Sequence, residues 1–187
     1  MVIGVGELRK GVTIELDGEP YQVVEYSSHK MQQRAPVMRI RFKSLRTGRV
    51  VDRSFNGYDV RLTPAEVQRR GTQYLYEDGE FYYFMDNETF DQFPLTRDSI
   101  EGSIRYLVEE TNVDLVLHED SPIAIEMPVT VDLKVTQTDP GVKGDTAQGG
   151  TKPATLETGL TVQVPLFVDT GETVRVDTRS GDYLARV

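Results

Sequence analysis

The chain has no cysteine and no tryptophan, and only two histidines in 187 residues. Without cysteine there is no disulfide framework, no zinc–thiolate centre and no thiol nucleophile. The two histidines, His29 and His118, stand in the polar stretches SSHKM and LHEDS. Neither setting suits a general base. G-x-S-x-G and H-E-x-x-H are both missing. The longest apolar runs are a few residues, too short to span a membrane as a helix. The start, MVIGVGELRKG, has no basic stretch leading into an apolar core, so no secretory signal is expected. These absences point away from hydrolytic chemistry. They fit a cytoplasmic chain.

Two glycine patterns are decoys. In GVGELRKG, Gly4 and Gly6 fit a dinucleotide fingerprint, but Arg9 stands where the third glycine belongs and no βαβ unit follows. In GDTAQGGTK, Gly144 and Gly149 have P-loop spacing, but Gly150 occupies the lysine position. Lys152 comes too late, and Pro153 discourages the helix a P-loop requires. That stretch is either a surface loop or a loop whose glycines let two backbones approach closely.

Charge is uneven along the chain. The formal net charge is −9, which taken whole argues against binding phosphate. Residues 1–64, however, hold 11 Lys+Arg against 7 Asp+Glu, residues 65–127 hold 4 against 15, and residues 128–187 hold 6 against 8. The basic excess sits at the start and the acidity in the middle. A first segment that faces RNA is one reading of this asymmetry, and uneven surface charge is the other.

What is abundant is strand and turn. Asp17-Gly18 and Asp78-Gly79 each separate two alternating runs, which predicts hairpins of the type I′ kind. Val, Ile, Thr, Tyr and Phe fill the runs between turns. Two segments read as helix. Thr63-Pro64-Ala65-Glu66 has the form of a capping box with proline at the first helical position. RDSIEGSIRYLVEE carries Ile100, Ile104, Leu107 and Val108 on one face. The tyrosines of QYLYEDGEFYYFM lie in an acidic setting and read as cross-strand packing rather than base stacking. Composition shifts near residue 64 and at Pro128 divide the chain into units 1–64, 65–127 and 128–187, each small enough to need a packed neighbour.

The stretch HKMQQRAPVMRIRF, residues 29–42, has few turn residues and sets basic residues on one parity of a strand, Arg39, Arg41 and Lys43. The order ELRKGVTIELDGEPYQVVEY, this loop, then KSLRTGRVVDRSF resembles the first domain of the bacterial elongation factor P family. QYLYEDGEFYYFMDNETFDQ resembles its second domain. TDPGVKGDTAQGGTKPATLETGLTVQVPLFVDTGETVRVDTRSGDYLARV resembles its third. The eukaryotic and archaeal counterpart has two domains, so the third segment points to the bacterial family.

The resemblance implies an all-β fold of three small barrels in tandem, an SH3-like (KOW-like) barrel followed by two OB-fold barrels, arranged as an L. It implies a monomeric factor that is not an enzyme in its own right, with no cofactor, no metal and no membrane partner. Its partners would be the bacterial ribosome, through ribosomal RNA and proteins, and the P-site peptidyl-tRNA. The implied task is to promote peptide-bond formation at polyproline stalls from a position between the peptidyl-tRNA and exit sites. By the same resemblance Lys30, Gln32, Gln33 and Arg34 form the loop facing the peptidyl-transferase centre. Gly144, Asp145, Thr146, Gly149 and Gly150 form the loop near the exit codon, and Tyr183 and Arg186 touch ribosomal RNA. Counting back from Leu45 puts Gln33 at the tip, where relatives carry an enzymatically extended lysine or arginine. A one-residue slip would bring Arg34 there instead. Glutamine cannot take either extension. The tip therefore works unmodified or carries another modification, and without glycine the loop should be stiffer and pre-ordered. A paralogue with a narrower ribosomal role, or a non-ribosomal oligonucleotide-binding module, are the alternatives.

Overall fold

A computed structural model describes residues 2–29, 37–57, 60–141 and 150–187. It is nearly all β, in three antiparallel sheets. The first is built from β1 (Ile3–Gly4), β2 (Thr13–Leu16), β3 (Glu19–His29), β4 (Val37–Ser44), β5 (Val50–Asn56) and β6 (Arg61–Pro64), in the order β1-β6-β2-β3-β4-β5. Its core holds Val5, Leu8, Ile14, Val23, Met38, Ile40 and Phe42. Asp17 and Gly18 have φ of 53° and 80°, the paired positive angles expected of the tight β2–β3 turn.

The second sheet contains β7 (Val67–Glu77), β8 (Phe81–Asp86), β9 (Gln92–Thr96), β10 (Asn112–His118) and β11 (Ser121–Glu126), with helix α1 (Arg97–Ile104) between β9 and β10. The third contains β12 (Thr130–Thr138), β13 (Thr151–Leu156), β14 (Thr161–Pro165), β15 (Thr173–Asp177) and β16 (Tyr183–Arg186). Their orders are β11-β10-β7-β8-β9 and β14-β13-β12-β15-β16. Numbered within each sheet, and with the first of these taken from its β9 edge, both read third, second, first, fourth, fifth. Both also carry a bulge in the first strand where it meets the second, at Tyr74/Tyr76 and at Val135/Gln137. A bulge bends the strand and increases its twist, which lets a short sheet curl around its own core. The two sheets are one topology used twice, with a helix between the third and fourth strands only in the first use.

Three sequence expectations change. Thr63-Pro64-Ala65-Glu66 opens no helix. Thr63 and Pro64 end β6, paired with Glu15 and Ile14, and the Ala65 N–H donates to the Thr13 carbonyl at 3.2 Å. A helix there would have had few residues before Gly71, too short to be stable alone, whereas β7 gains a ladder with β10 from Val67 to Gln73. Asp78-Gly79 is no type I′ turn, because only Gly79 has positive φ, at 95°. Asp78 instead accepts the N–H groups of Glu80 and Phe81 with its carboxylate, the local bonding that aspartate favours in turns. The predicted second helix does form, but it ends at Ile104.

The residues after that helix join two cores. Leu107 is buried in the central core, while Tyr106, 1% exposed, belongs to the core of the third sheet. Met127 packs against both, and Thr158 Oγ1 donates to the Arg105 carbonyl at 2.7 Å. The first and second sheets meet through Leu45, which packs with Val116, Ile123 and Ala124. Among the described residues no helix is long and apolar enough to cross a membrane.

Candidate nucleic-acid interface

Strand β4 alternates strictly, with Met38, Ile40, Phe42 and Ser44 buried and Arg39, Arg41 and Lys43 exposed. The period of two puts every basic residue on the solvent face. There Arg41 is held between two carboxylates, Glu25 Oε2 on β3 and Asp52 Oδ1 on β5, each at 2.9 Å. These bonds, the Asp52 one first, raise the guanidinium above its ordinary value. Arg39 stands between Ser27 and Ser54 in the register, and Lys43 between Gln22 and Val50. Among the described residues neither makes an ion pair. Glu25, Ser27, Arg39, Arg41, Asp52 and Arg53 line a shallow depression of about 460 Å³ on this face. The β3–β4 ladder continues to the pair His29↔Val37. Lys30, Gln32, Gln33 and Arg34 follow directly and lie outside the described residues.

The glycine-rich stretch of the third unit is described only at its two ends; Gly144, Asp145, Thr146 and Gly149 lie outside the described residues. Both ends press on Leu166. A Cβ on Gly141 would stand 2.3 Å from the Leu166 carbonyl oxygen, and one on Gly150 would stand 3.1 Å from its Cδ1. Gly141, just before the stretch read from the sequence, meets backbone, whereas Gly150 meets a side chain; the close-approach reading of Gly144 and Gly149 falls outside the described residues. Lys152 faces inward from β13, 5% exposed. Its ammonium donates to the Asp139 carbonyl at 2.7 Å and lies 3.9 Å from Asp169 Oδ1. It ties the two arms of the neck together.

The last predicted contacts, Tyr183 and Arg186, lie on β16. Tyr183 is half-buried and packs against the third core. Arg186 is exposed. Its Nη1 donates to Glu172 Oε1 at 3.0 Å, and its guanidinium lies 5.3 Å from the centroid of the Phe167 ring. The turn that leads into β16 is fixed by Asp177, whose carboxylate accepts the Arg179 N–H at 2.8 Å and both Nε and Nη2 of its side chain. The side-chain bond to Arg179, then its backbone N–H, push the Asp177 carboxyl down to about 2.

Sequence reasoning missed Lys152, Leu166, Phe167 and Glu172. Only Phe167 carried a local signal, an aromatic residue between a strand end and a Gly-centred turn. The other three act through positions that the sheet brings together from separate strands.

A six-stranded first sheet with a basic-faced hairpin, followed by two sheets of OB strand order, defines a tandem-barrel β protein. Family models cover almost all of it. Residues 4–60 match the elongation factor P KOW-like domain, residues 67–125 the elongation factor P OB domain, and residues 131–186 the elongation factor P C-terminal domain. Elongation factor P from Carboxydothermus hydrogenoformans is 48% identical over 186 residues, covering 100% of both chains. That from Moorella thermoacetica is 46% identical over 185 residues, 99% of this chain and 100% of its own. Eukaryotic translation initiation factor 5A from Methanococcus jannaschii shares the fold at a TM-score of 0.53 and 20% identity, over 68% of this chain and 92% of that one. The chain belongs to the elongation factor P family, and its role is that of a translation elongation factor.

Proposed function

We propose that the chain binds the bacterial ribosome between the peptidyl-tRNA and exit sites and promotes peptide-bond formation at polyproline stalls. The reading is carried by full-length membership of the family. The β3–β4 hairpin adds support, because its ladder runs to His29↔Val37 and leaves Gln33 midway along the connection 30–36. Proline fixes φ and restricts the geometry of attack. A factor that holds the tRNA acceptor end restores that geometry, an entropic contribution. Cations position such a factor on phosphates, and Arg39 and Lys43 on the hairpin face make no ion pair among the described residues. The working units are residues 1–64, 65–127 and 128–187. The factor acts as a cytoplasmic monomer, with peptidyl-tRNA against Lys30, Gln32, Gln33 and Arg34, and the exit codon against the loop from Gly144 to Gly150.

Gln33 favours one second reading, a paralogue of the same fold with a narrower ribosomal role. Glutamine offers a donor and an acceptor but no charge. In a reconstituted translation assay on a polyproline message, the unmodified chain should restore synthesis and Gln33→Ala should lose most of that effect. No rescue by a protein that still sediments with ribosomes would favour the paralogue. Failure to sediment at all would leave the non-ribosomal oligonucleotide-binding reading. The intact mass of protein from its own cells tests the tip directly. A mass equal to the encoded chain, apart from loss of Met1, is expected.

A further inference from the structure

The turn between β14 and β15 does four things in four residues. Leu166 packs on both glycines of the loop neck. Val168 is fully buried in the third core, and its N–H donates to the Pro165 carbonyl at 3.1 Å. Asp169 approaches Lys152. Between these anchors Phe167 points outward and is 58% exposed. With Leu166 and Val168 both fixed, the ring cannot turn inward without breaking the core. Its exposure is imposed by the backbone.

A cation is held over this ring. Glu172 bridges the turn and the last strand: Oε2 accepts the Asp169 N–H at 2.9 Å, and Oε1 accepts Arg186 Nη1 at 3.0 Å. The guanidinium is thereby kept over Phe167, and the Arg186 side chain stays half-exposed. A flat guanidinium against an exposed aromatic ring, both pre-ordered, suits one partner best, another flat π system. Base–aromatic stacking is tolerant of sequence, because every base has a π face. Of the two bordering carboxylates, Glu172 is committed to Arg186 and to the turn, and Asp169 faces the Lys152 ammonium at 3.9 Å.

We infer that Phe167, with Arg186 held by Glu172, is a stacking site for an unpaired base of single-stranded RNA, beside the neck of the glycine-rich loop. This inference rests on the ribosomal reading above for the source of its RNA. The stacking partner is a base rather than a protein side chain, and the two outcomes differ spectroscopically.

The chain has no tryptophan, so Phe167→Trp places a single reporter at the site. Purified bacterial ribosomes and a short single-stranded RNA are titrated in turn. Stacking should quench the tryptophan saturably in both titrations. Phe167→Ala should weaken ribosome binding by about 5- to 150-fold while leaving the salt dependence unchanged, since no charge is lost. Phe167→Trp should bind like the natural chain. Ribosome binding with unquenched emission and an unweakened alanine variant would overturn the stacking site but not the proposed function. Blue-shifted, unquenched emission would also overturn it and identify a protein contact instead. If the natural chain fails to sediment with ribosomes, the proposed function fails, and the short RNA alone decides: unquenched emission there overturns the stacking site as well.

Discussion

The hydroxyl of Tyr106 lies 3.3 Å from the point where a Cβ on Gly181 would stand. Tyr106 comes from the turn that follows the central unit's helix, and Gly181 from the last turn of the third unit. The contact shows how far one unit is inserted into the core of the other. The Tyr106 hydroxyl is buried without a hydrogen-bond partner among the described residues. Tyr106→Phe should therefore stabilise the chain by about 1 kcal/mol, the lower end of the cost of an unpaired buried hydroxyl. Tyr106→Ala should cost about 3 to 5 kcal/mol and split thermal unfolding into two transitions as the third core loses the large side chain that the central unit places in it. Gly181, at φ 82°, should not accept alanine freely: about 1 to 3 kcal/mol is expected from the backbone alone, and part of the remaining cost should vanish in the Tyr106→Phe background. Calorimetry on the natural chain and the four variants checks this. A single sharp transition for Tyr106→Ala would show that the two units are joined elsewhere.

The neck of the glycine-rich loop predicts an order of sensitivities. Gly141→Ala drives a Cβ to 2.3 Å from a backbone oxygen, whereas Gly150→Ala meets the end of a leucine side chain at 3.1 Å. The first must move backbone and the second only a rotamer. Urea unfolding should show a loss of about 1 to 3 kcal/mol for Gly141→Ala, and clearly less for Gly150→Ala. Equal losses would mean that Leu166 is not the limiting contact.

Acid stability should depend on Asp177. Its carboxyl sits at about 2 instead of 3.8 because of Arg179. A group whose folded value is depressed stabilises the fold above its unfolded value and loses that contribution as pH falls through the folded one. The loss should run from about pH 4 down to about pH 2. Asp132, lowered by Arg175, and Asp86 and Asp78, lowered by backbone N–H groups, act in the same direction. Asp177→Asn should lower stability at neutral pH and shrink the difference between neutral and acid melting temperatures. An unchanged acid limb would show that Arg179 pairs as well with unfolded chain or solvent.

Much of this fold is written locally. The alternation of VMRIRFKS fixes which face of β4 is buried, and Asp17-Gly18 dictates its own turn. Where local and long-range signals compete, the long-range ladder wins, as it does at Thr63-Pro64-Ala65-Glu66. The repeated strand order of the second and third sheets has no counterpart in any motif, because it is a property of pairing and not of composition. The same holds for Tyr106 and Leu107. Adjacent in sequence, they enter different cores, and a helical periodicity can only assign them to one face. Glu172 carries no motif and Lys152 only a failed P-loop spacing, and it is the fold that brings them to Arg186 and to the Asp139 carbonyl.

The basic strand separates charge that is available for RNA from charge that is not. Arg41 already faces Glu25 and Asp52, so its replacement removes an internal bridge as much as a cation. These groups are half-exposed, and such bridges contribute little to stability. Arg39 and Lys43 lack that compensation among the described residues. Arg39→Ala and Lys43→Ala should each weaken ribosome binding and reduce the slope of log affinity against log salt by about 0.7 to 0.9, the loss of one phosphate contact. Arg41→Ala frees two carboxylates on the same face, so it should weaken binding by added repulsion even where its own phosphate contact is absent. Replacing Glu25 and Asp52 together by Gln and Asn, with Arg41 kept, should strengthen binding at low salt, because it releases one guanidinium and removes two negative charges. Sedimentation with ribosomes over a salt series distinguishes these cases. If Arg39→Ala and Lys43→Ala leave the slope unchanged while the Glu25/Asp52 pair alters nothing, this face of the hairpin does not meet RNA.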